Sequence, residues 1–358
     1  MIIQKHPSKN CHPDISMISH PADNILFFDI ETTGFSAKTS TLYLIGAVYY
    51  ENQSWNIIQW FAESSSEEED ILKAFFDFCK HYRLLLHFNG EGFDIPYLIQ
   101  KAEQYNLDTP FSSMESLDIY RSIRPFKQII KLSHMNQKAM EAFLGIHRED
   151  RYSGGELIQV YHRFEKTHTD RDLALLLLHN KDDLQGMLPL TALLAYPALF
   201  LEHRFTLHHA KWMDRPDGQP DLILELLLSH PLPKPVSQQL DFGYLKADGH
   251  ICRLLIHARE GELKYFFADY RNYYYIPSED RVIHQSVASC LPASKRVRAK
   301  ASQCYERRYG LFLPQKTALI SPVYQDEYKS QPLWFECTQQ FMNNTEQLFM
   351  YIKGLVSL

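Results

Sequence analysis

The chain has 358 residues, of which 45% are hydrophobic and 22% charged, and its formal net charge at pH 7 is -6. This length predicts two domains, because single hydrophobic cores rarely grow beyond about 250 to 300 residues. The six cysteines are scattered without a CxxC pair, which excludes a zinc or disulfide scaffold and predicts reduced thiols in a cytoplasmic protein. No stretch approaches about 18 consecutive apolar residues, so we expect neither a signal peptide nor a membrane segment.

The charge is distributed unevenly along the sequence. Residues 1–200 contain 18 Lys+Arg and 26 Asp+Glu, a net charge of -8, and the remaining 19 and 17 give residues 201–358 a net charge of +2. The acidic first half does not exclude a nucleic-acid partner, because a metal site lined by carboxylates brings its own compensating charge.

The first half of the chain predicts a mixed sheet with helices on its faces. After a polar leader (1–21), strands are expected at 25–31, 41–50 and 54–61, then at 83–88 and 114–120. Helices are expected at 93–105, 131–144, 156–164 and 172–194, with a turn at Ser153-Gly154-Gly155. The acid run Glu67 to Asp70 follows three serines and predicts the start of another helix rather than a metal site. Strands that alternate with helices are typical of an α/β domain, here residues 22–200.

The second half, 201–358, predicts an antiparallel β-rich α+β domain. Strands are expected at 222–228, 239–246, 251–259, 263–269 and 273–276, with turn signals at Asp248-Gly249 and Glu260-Gly261. A basic helical stretch and a terminal helix from about Thr338 complete it. Residues 281–316 carry eight basic residues and one acid, Glu306, beside several tyrosines. This pattern suits either a nucleic-acid surface or an ordinary solvated face with core tyrosines.

Two carboxylates mark the end of the first buried strand. Asp29 and Glu31 follow the apolar run 25–28, and residues two apart in a strand point to the same side. Two carboxylates about 4 Å apart repel each other by about 4 kcal/mol at an effective dielectric constant of about 20. The sequence therefore predicts a bound cation, with the oxygen-preferring ions Mg²⁺ and Mn²⁺ as candidates.

Three further polar residues stand in contexts that suit the same site. Asp94 lies where a strand and turn lead into a helix, and His179 and Asp183 are one helical turn apart. Taken singly, each residue has a structural explanation: Asp29 as a strand-end cap, Asp94 as a helix cap, His179 as a packed histidine and Asp183 as a surface acid. Together, four carboxylates and a histidine are what two-metal phosphodiester hydrolysis requires.

The motifs that contain these residues resemble a known family. FFDIETTG, HFNGEGFDIPYL and HNKDDL, in this order over 25–184, resemble the three exonuclease motifs of the DEDD, DnaQ-like superfamily of 3′–5′ exonucleases, which has a ribonuclease-H-like fold. The segments SLDIYRSIR and AFLGIHREDRYSGGELIQVYHRF resemble the YprB-like branch. The resemblance covers a little under half of the chain, and no family is recognised for the rest.

The resemblance implies a role for each matching residue. Asp29 would bridge two divalent ions, Glu31 and Asp183 would complete the first ion's site, and Asp94 would hold the second. His179 would orient or deprotonate the attacking water, and Asn89, Thr32, Thr33 and Phe93 would contact the terminal nucleotide. The third motif departs from both common patterns, because a histidine stands at the spacing of the tyrosine-type subclass and Leu184 occupies the acid's position at the histidine-type spacing.

The sequence thus predicts an exonuclease that acts on single-stranded or 3′-terminal nucleic acid with two Mg²⁺ or Mn²⁺ ions. Two alternatives remain: a nucleic-acid-binding or scaffold protein with a degenerate site, and an endonuclease of the same fold. The choice between DNA and RNA stays open, because assigning a contact to the 2′-hydroxyl needs geometry. The oligomeric state and the cellular pathway stay open as well.

Overall fold

A mixed sheet organises the first half of the chain in this computed structural model, which describes residues 1–8, 12–146, 152 and 154–357. By its internal contacts the chain divides into one unit of residues 1–198 and 232–234, and a second of residues 199–231 and 235–358. The domain boundary at residues 200 and 201 stays a prediction.

Six strands form this sheet within the described residues of the first unit. They are β1 (Ile2–Pro7), β2 (Ile25–Thr32), β3 (Leu42–Glu51), β4 (Ser54–Phe61), β5 (Leu84–His87) and β6 (Glu115–Asp118), in the spatial order β1-β4-β3-β2-β5-β6. The pairs from β1 to β2 are antiparallel, and β2, β5 and β6 are parallel. The predicted α/β class with a mixed sheet is confirmed.

Helices cover both faces of the sheet. They are α1 (Glu68–Cys79), α2 (Asp94–Tyr105), α3 (Ile119–Ile123), α4 (Gln137–Leu144), α5 (Gly154–Thr167), α6 (Asp170–Leu190) and α7 (Ala195–Phe200). Leu26, Phe28 and Ile30 of β2 point into a core shared with α1 and α2. A second core joins β3 and β4 to α5 and α6, where Tyr43 stacks on Tyr161 at 4.3 Å between ring centroids. Because side chains alternate along β2, Asp29 and Glu31 face the side of the sheet that carries α6.

The acid run at the start of α1 contains a structural carboxylate. Glu68 is buried and accepts hydrogen bonds from the Leu42 backbone N–H, from Lys101 Nζ at 3.0 Å and from the Tyr105 hydroxyl at 2.6 Å. The predicted helix start is therefore correct. Glu68 in addition ties α1 to α2 and β3.

Three local predictions in the first unit differ from the structure. Residues 2–7, expected in a loose leader, form β1, because the outer edge of β4 offers backbone groups that the leader can pair. Helix α4 starts at Gln137 instead of residue 131, because the Asn136 side chain caps it by accepting from the Ala139 N–H. Gly154 and Gly155 lie in α5 rather than in a turn, and Ser153 lies outside the described residues.

The second unit consists mainly of antiparallel strands, as predicted. They are β7 (Phe205–Asp214), β8 (Pro220–Leu240), β9 (Gly243–His257), β10 (Arg259–Phe266), β11 (Tyr273–Ile276), β12 (Arg281–His284), β13 (Val297–Arg298), β14 (Tyr305–Gln315) and β15 (Leu333–Glu336). In the described part of this unit they form three sheets with the orders β7-β8-β9, β10-β14-β15 and β12-β11-β13. The helices are α8 (Gln285–Ala288), α9 (Gln339–Asn343) and α10 (Thr345–Val356).

Two predictions for the second unit are wrong. The basic stretch contains the strands β12, β13 and β14 and only the short α-helix α8, and the residues of β14 pair along their length with β10 and β15. The turn signals at Asp248-Gly249 and Glu260-Gly261 lie inside β9 and β10. Gly249 has a φ of +53°, so the glycine accommodates a local kink in a continuing strand. Across the described ranges, no helix combines the length and apolar character needed to cross a bilayer.

Candidate functional site

The first two carboxylates of the site come from β2. Asp29 pairs with Gly46 of β3 and Glu31 with Leu44, and a register shift follows Glu31, where regular pairing ends. The Tyr43 hydroxyl donates a hydrogen bond to the Glu31 carboxylate. Asp29 and Glu31 are both partly exposed, and Asp29 lines a cleft beside the end of β2.

Asp94 reaches the same strand from the start of α2. Its side chain is only 7% exposed, and Oδ1 accepts a hydrogen bond from the Ile30 backbone N–H at 3.3 Å. Ile30 lies between the two acids of β2. Asp94 is therefore held against β2, and its assignment to the site stays a prediction.

His179 and Asp183 complete the cluster from α6. His179 Nε2 lies 3.3 Å from Asp183 Oδ2 and 3.6 Å from Glu31 Oε1. One ligand atom from each of these three residues fits within a mutual distance of 4.8 Å, as a shared metal ion would require. The Asp183 backbone carbonyl accepts from Gln137 Nε2 at 2.7 Å, which attaches α4 to this part of α6.

The electrostatics of the cluster are those of crowded carboxylates. Burial raises the pKa of Asp29 well above its usual range, and repulsion by neighbouring carboxylates raises it further. These neighbours are, in decreasing order of effect, Asp183, Asp94 and Glu31. Burial likewise raises the pKa of Asp94 to about 7. A divalent cation bound among these oxygens would relieve the repulsion, so the residues present fit Mg²⁺ or Mn²⁺.

The raised pKa of Asp94 predicts an unusual pH dependence for the metal-free protein. The folded state keeps a proton on Asp94 up to about pH 7, whereas an unfolded chain releases it near pH 4. The folded state therefore binds more protons between these values, and this group's contribution to stability falls as pH rises, by an order of a few kcal/mol.

We expect the Tm of the protein in EDTA to decrease between pH 5 and pH 8 relative to that of the Asp94→Asn variant. Thermal melts of both proteins across this range measure the difference. Parallel pH profiles would contradict a raised pKa.

Sequence reasoning missed two linked hydrogen bonds behind Asp29, from Gln59 to Asn180 and from Asn180 to Asp29, which we call the relay. Asn180, fully buried on α6, donates from Nδ2 to Asp29 Oδ2 at 3.0 Å. Its Oδ1 accepts from Gln59 Nε2 at 2.8 Å, and this bond fixes which end of the amide faces the carboxylate. The sequence does hold a signal, since Asn180 lies three residues before Asp183 and thus on the same side of a helix.

Gly46 makes the relay sterically possible. A Cβ at this position would lie 2.0 Å from Asn180 Oδ1 and 2.6 Å from Leu184 Cδ1. Only glycine therefore lets α6 approach β3 closely enough for Asn180 to reach the acid paired with Gly46. Sequence patterns offer no signal for this requirement, because it depends on a contact across more than 130 residues.

A second missed residue, Asp118, supports the turn before α2. It is buried at the end of β6, and its carboxylate accepts from the backbone N–H groups of Asn89 at 2.9 Å and Glu91 at 3.3 Å. Asn89 has a φ of +61°, a conformation that needs such support. Asp118 thereby positions the segment that carries Asn89 and leads to Asp94.

A cleft of about 680 Å³ opens beside the cluster in the first unit. Its lining residues include Asp29, Asp94, Asn89, Phe93 and Tyr120. Phe35 stands at the rim with 94% of its surface exposed, and its ring meets that of Phe93 edge to face at 6.1 Å between centroids. The cleft therefore combines acids with aromatic rings on which a base can stack.

Of the four predicted substrate-binding residues, the structure brings two to the cleft. Asn89 and Phe93 line it, whereas Thr32 and Thr33 are not among its described lining residues. The Thr32 hydroxyl donates to the Gly34 carbonyl at 2.9 Å, and Thr33 Oγ1 accepts from the Thr41 N–H at 2.8 Å. Both threonine hydroxyls stabilise the loop after β2, and their contacts to substrate stay a prediction.

A family comparison agrees with this fold. Residues 26–195 match a family described as RNase_H superfamily. No curated protein sequence matches the chain. Among solved structures, the family B DNA polymerase from the hyperthermophilic archaeon Pyrobaculum calidifontis is similar over 70% of this chain and 35% of its own length, with 13% identity and a TM-score of 0.38. The chain thus spans little more than a third of that polymerase. The N-terminal domain is ribonuclease-H-like.

Proposed function

We propose that this ribonuclease-H-like domain is a metal-dependent 3′–5′ exonuclease of the DEDD, DnaQ-like type. The observation that carries the proposal is the convergence of carboxylates from β2, α2 and α6 in one cluster, where burial and their mutual repulsion raise the pKa of Asp29. Those carboxylates belong to Asp29, Glu31, Asp94 and Asp183. Two of them, Asp29 and Asp94, line the cleft. A nucleic-acid substrate suits the cleft, because its aromatic rim adjoins the acids.

The four carboxylates would hold two ions, Mg²⁺ or Mn²⁺. When bound, the ions would neutralise the charge of the phosphate and stabilise the leaving oxygen. Asn180 holds Asp29 in one orientation, and the Ile30 N–H does the same for Asp94. These contacts hold the carboxylate oxygens close together, and the protein alone does not offset the repulsion between them.

The reaction is hydrolysis of the last phosphodiester bond of a strand. A water oxygen forms a new bond to phosphorus while the bond to the upstream 3′ oxygen breaks, and a nucleoside 5′-monophosphate leaves. The water gives a proton to His179 Nε2, and the departing 3′ oxygen takes up a proton. The carboxylates of Asp183 and Glu31, both within 3.6 Å of Nε2, stabilise the resulting imidazolium. Asn89 and Phe93 would hold the terminal nucleotide.

A cleavage assay on labelled oligonucleotides tests the proposal. Single-stranded DNA and RNA, each labelled at the 5′ or the 3′ end, are incubated with Mg²⁺, with Mn²⁺ or with EDTA. We expect stepwise shortening from the 3′ end that EDTA abolishes and a 3′ block prevents. Cutting of a 3′-blocked substrate would indicate an endonuclease instead. Salt-dependent binding without cleavage of either nucleic acid would indicate a degenerate site.

The His179→Ala variant separates two roles for the histidine. A general base contributes about 10² to 10⁴ in rate, so we expect a fall of this size in kcat with little change in Mn²⁺ affinity. Single-turnover cleavage and calorimetric Mn²⁺ titration measure the two quantities. Because the imidazole also fits the metal-ligand set with Glu31 and Asp183, loss of Mn²⁺ affinity would identify it as a ligand and contradict the role of base.

A further inference from the structure

The second unit contains basic side chains that its own acids do not neutralise. Arg307 pairs with Glu262 at 2.9 Å and Asp280 at 2.6 Å, Arg308 pairs with Glu336 at 3.1 Å, and Arg281 pairs with Glu279. By contrast, none of the ion pairs among residues 199–357 involves five other basic residues. We call these the β11–β13 basic patch: Arg271, Lys295, Arg296, Arg298 and Lys300.

Strand pairing and ring contacts order the arginines of this patch. Tyr274 on β11 lies opposite Arg298 on β13, and Arg296, two residues earlier, shares that face of the sheet. The guanidinium carbons of Arg296 and Arg298 lie 4.9 and 4.4 Å from the centre of the Tyr274 ring. Arg298 Nη1 also donates to the Arg271 carbonyl at 3.3 Å. Stacking holds each guanidinium by its flat face and leaves N–H groups at its edge available to an anion.

We propose that the β11–β13 basic patch binds the phosphate backbone of single-stranded nucleic acid. This inference rests on the proposed function for the class of its partner. The exonuclease substrate is a polyanion, yet residues 1–200 carry a net charge of -8. Metal ions in the site would compensate only the charge beside them, so positive charge elsewhere in the chain favours long-range attraction, and the patch supplies five positive charges. Arginines fixed on a ring, with Tyr270 beside Arg271 at 5.9 Å, combine phosphate contacts with an aromatic surface.

Binding measured without cleavage tests the patch independently of the nuclease. Fluorescence anisotropy of a labelled single-stranded oligonucleotide is recorded in EDTA with full-length Asp29→Asn protein, with and without Arg296→Ala/Arg298→Ala. Each phosphate contact to a single strand carries a salt exponent of about 0.7, which corresponds to about fivefold in affinity at 0.1 M salt. We expect the double variant to bind about 25-fold more weakly and the slope of log K against log salt to fall by about 1.4.

The paired arginines provide a control with the same change of net charge. Arg307→Ala/Arg308→Ala removes two positive charges already neutralised by Glu262, Asp280 and Glu336, so we expect a smaller loss and an almost unchanged slope. Lys295→Ala/Lys300→Ala removes two exposed side chains outside the tyrosine stack. It tests the patch even if the Arg296→Ala/Arg298→Ala variant fails to fold. It should weaken binding by about fivefold or more.

Three results would overturn the proposal: no binding by the parent protein, equal losses from the paired and unpaired arginines, or unchanged affinity in both patch variants. Vesicles containing phosphatidylserine serve as a competing anionic surface. If the patch variants lost binding to vesicles but not to the oligonucleotide, the patch would be assigned to membranes and the proposal would be refuted. A protein that cleaves normally but lacks patch-dependent binding would leave the exonuclease proposal intact.

Discussion

The Asp29→Asn variant is expected to lose metal-dependent cleavage by about 10³-fold or more while remaining folded. Asp29 occupies the middle of the cluster, since its carboxylate interacts with those of Asp183, Asp94 and Glu31. Asparagine keeps the shape of the side chain but removes the charge that the ions require. Single-turnover cleavage with saturating Mn²⁺ measures the loss, and we expect a comparable loss for Asp183→Asn.

The same substitution should leave the metal-free protein as stable as the parent or more stable. In the parent, burial and the neighbouring carboxylates oppose ionisation of Asp29. A neutral amide removes that repulsion and can still accept the Asn180 hydrogen bond. We expect the Tm in EDTA to be equal or higher, and the stabilisation by added Mn²⁺ to be lost.

Asp182→Asn is the matched control for both measurements. Asp182 is adjacent to Asp183 on α6 but lies outside the group formed by Glu31, His179 and Asp183. Its neutralisation removes one negative charge from α6 and leaves that group intact, so activity should stay within about twofold. Full activity in Asp29→Asn and Asp183→Asn would refute the assignment of the site.

Replacing Gly46 with alanine should have the second large effect, although the change adds one methyl group. The new Cβ would occupy the space of Asn180 Oδ1, at 2.0 Å, and of Leu184 Cδ1, at 2.6 Å. Asn180 is fully buried and bonded on both sides, so α6 must move away from β3 or the relay must break. Overpacking of this kind costs about 1 to 3 kcal/mol. Because α6 also carries His179 and Asp183, we expect activity to fall by 10²-fold or more.

Denaturant unfolding, Mn²⁺ titration and cleavage measure the three consequences of Gly46→Ala. Gly155→Ala is the control, because nothing lies within 4 Å of a Cβ at that helical position. Alanine there should be neutral or stabilise the protein by about 0.5 to 1 kcal/mol. If Gly46→Ala retained the activity and stability of the parent, close approach of α6 to β3 would not be what positions the site.

The main features of the first unit could be predicted because local patterns and the final structure agree there. Apolar residues before Asp29 specify a buried strand, and the alternation of side chains places Glu31 on the same face. The one-turn spacing of His179 and Asp183 likewise determines that they point together on α6. That these two residues lie close to Asp29 and Glu31 was predicted from the order of the three motifs, which resembles that of a known family.

The parts that sequence reasoning missed depend on contacts between distant segments. Gly46, Gln59 and Asn180 acquire their roles only when β3, β4 and α6 pack together. The helix expected in the basic stretch does not form over β14, because pairing with β10 and β15 decides the conformation there.

The edge position of β1 has a consequence for handling the protein. Its residues pair with β4 from Ile2↔Phe61 to Pro7↔Asn56 and satisfy backbone groups along that side of the sheet. Trimming residues 1–8 would expose those groups, together with a strand rich in isoleucine and aromatic residues, to other molecules. Shortened preparations should therefore self-associate at high concentration, and affinity tags are better fused at a site remote from this strand.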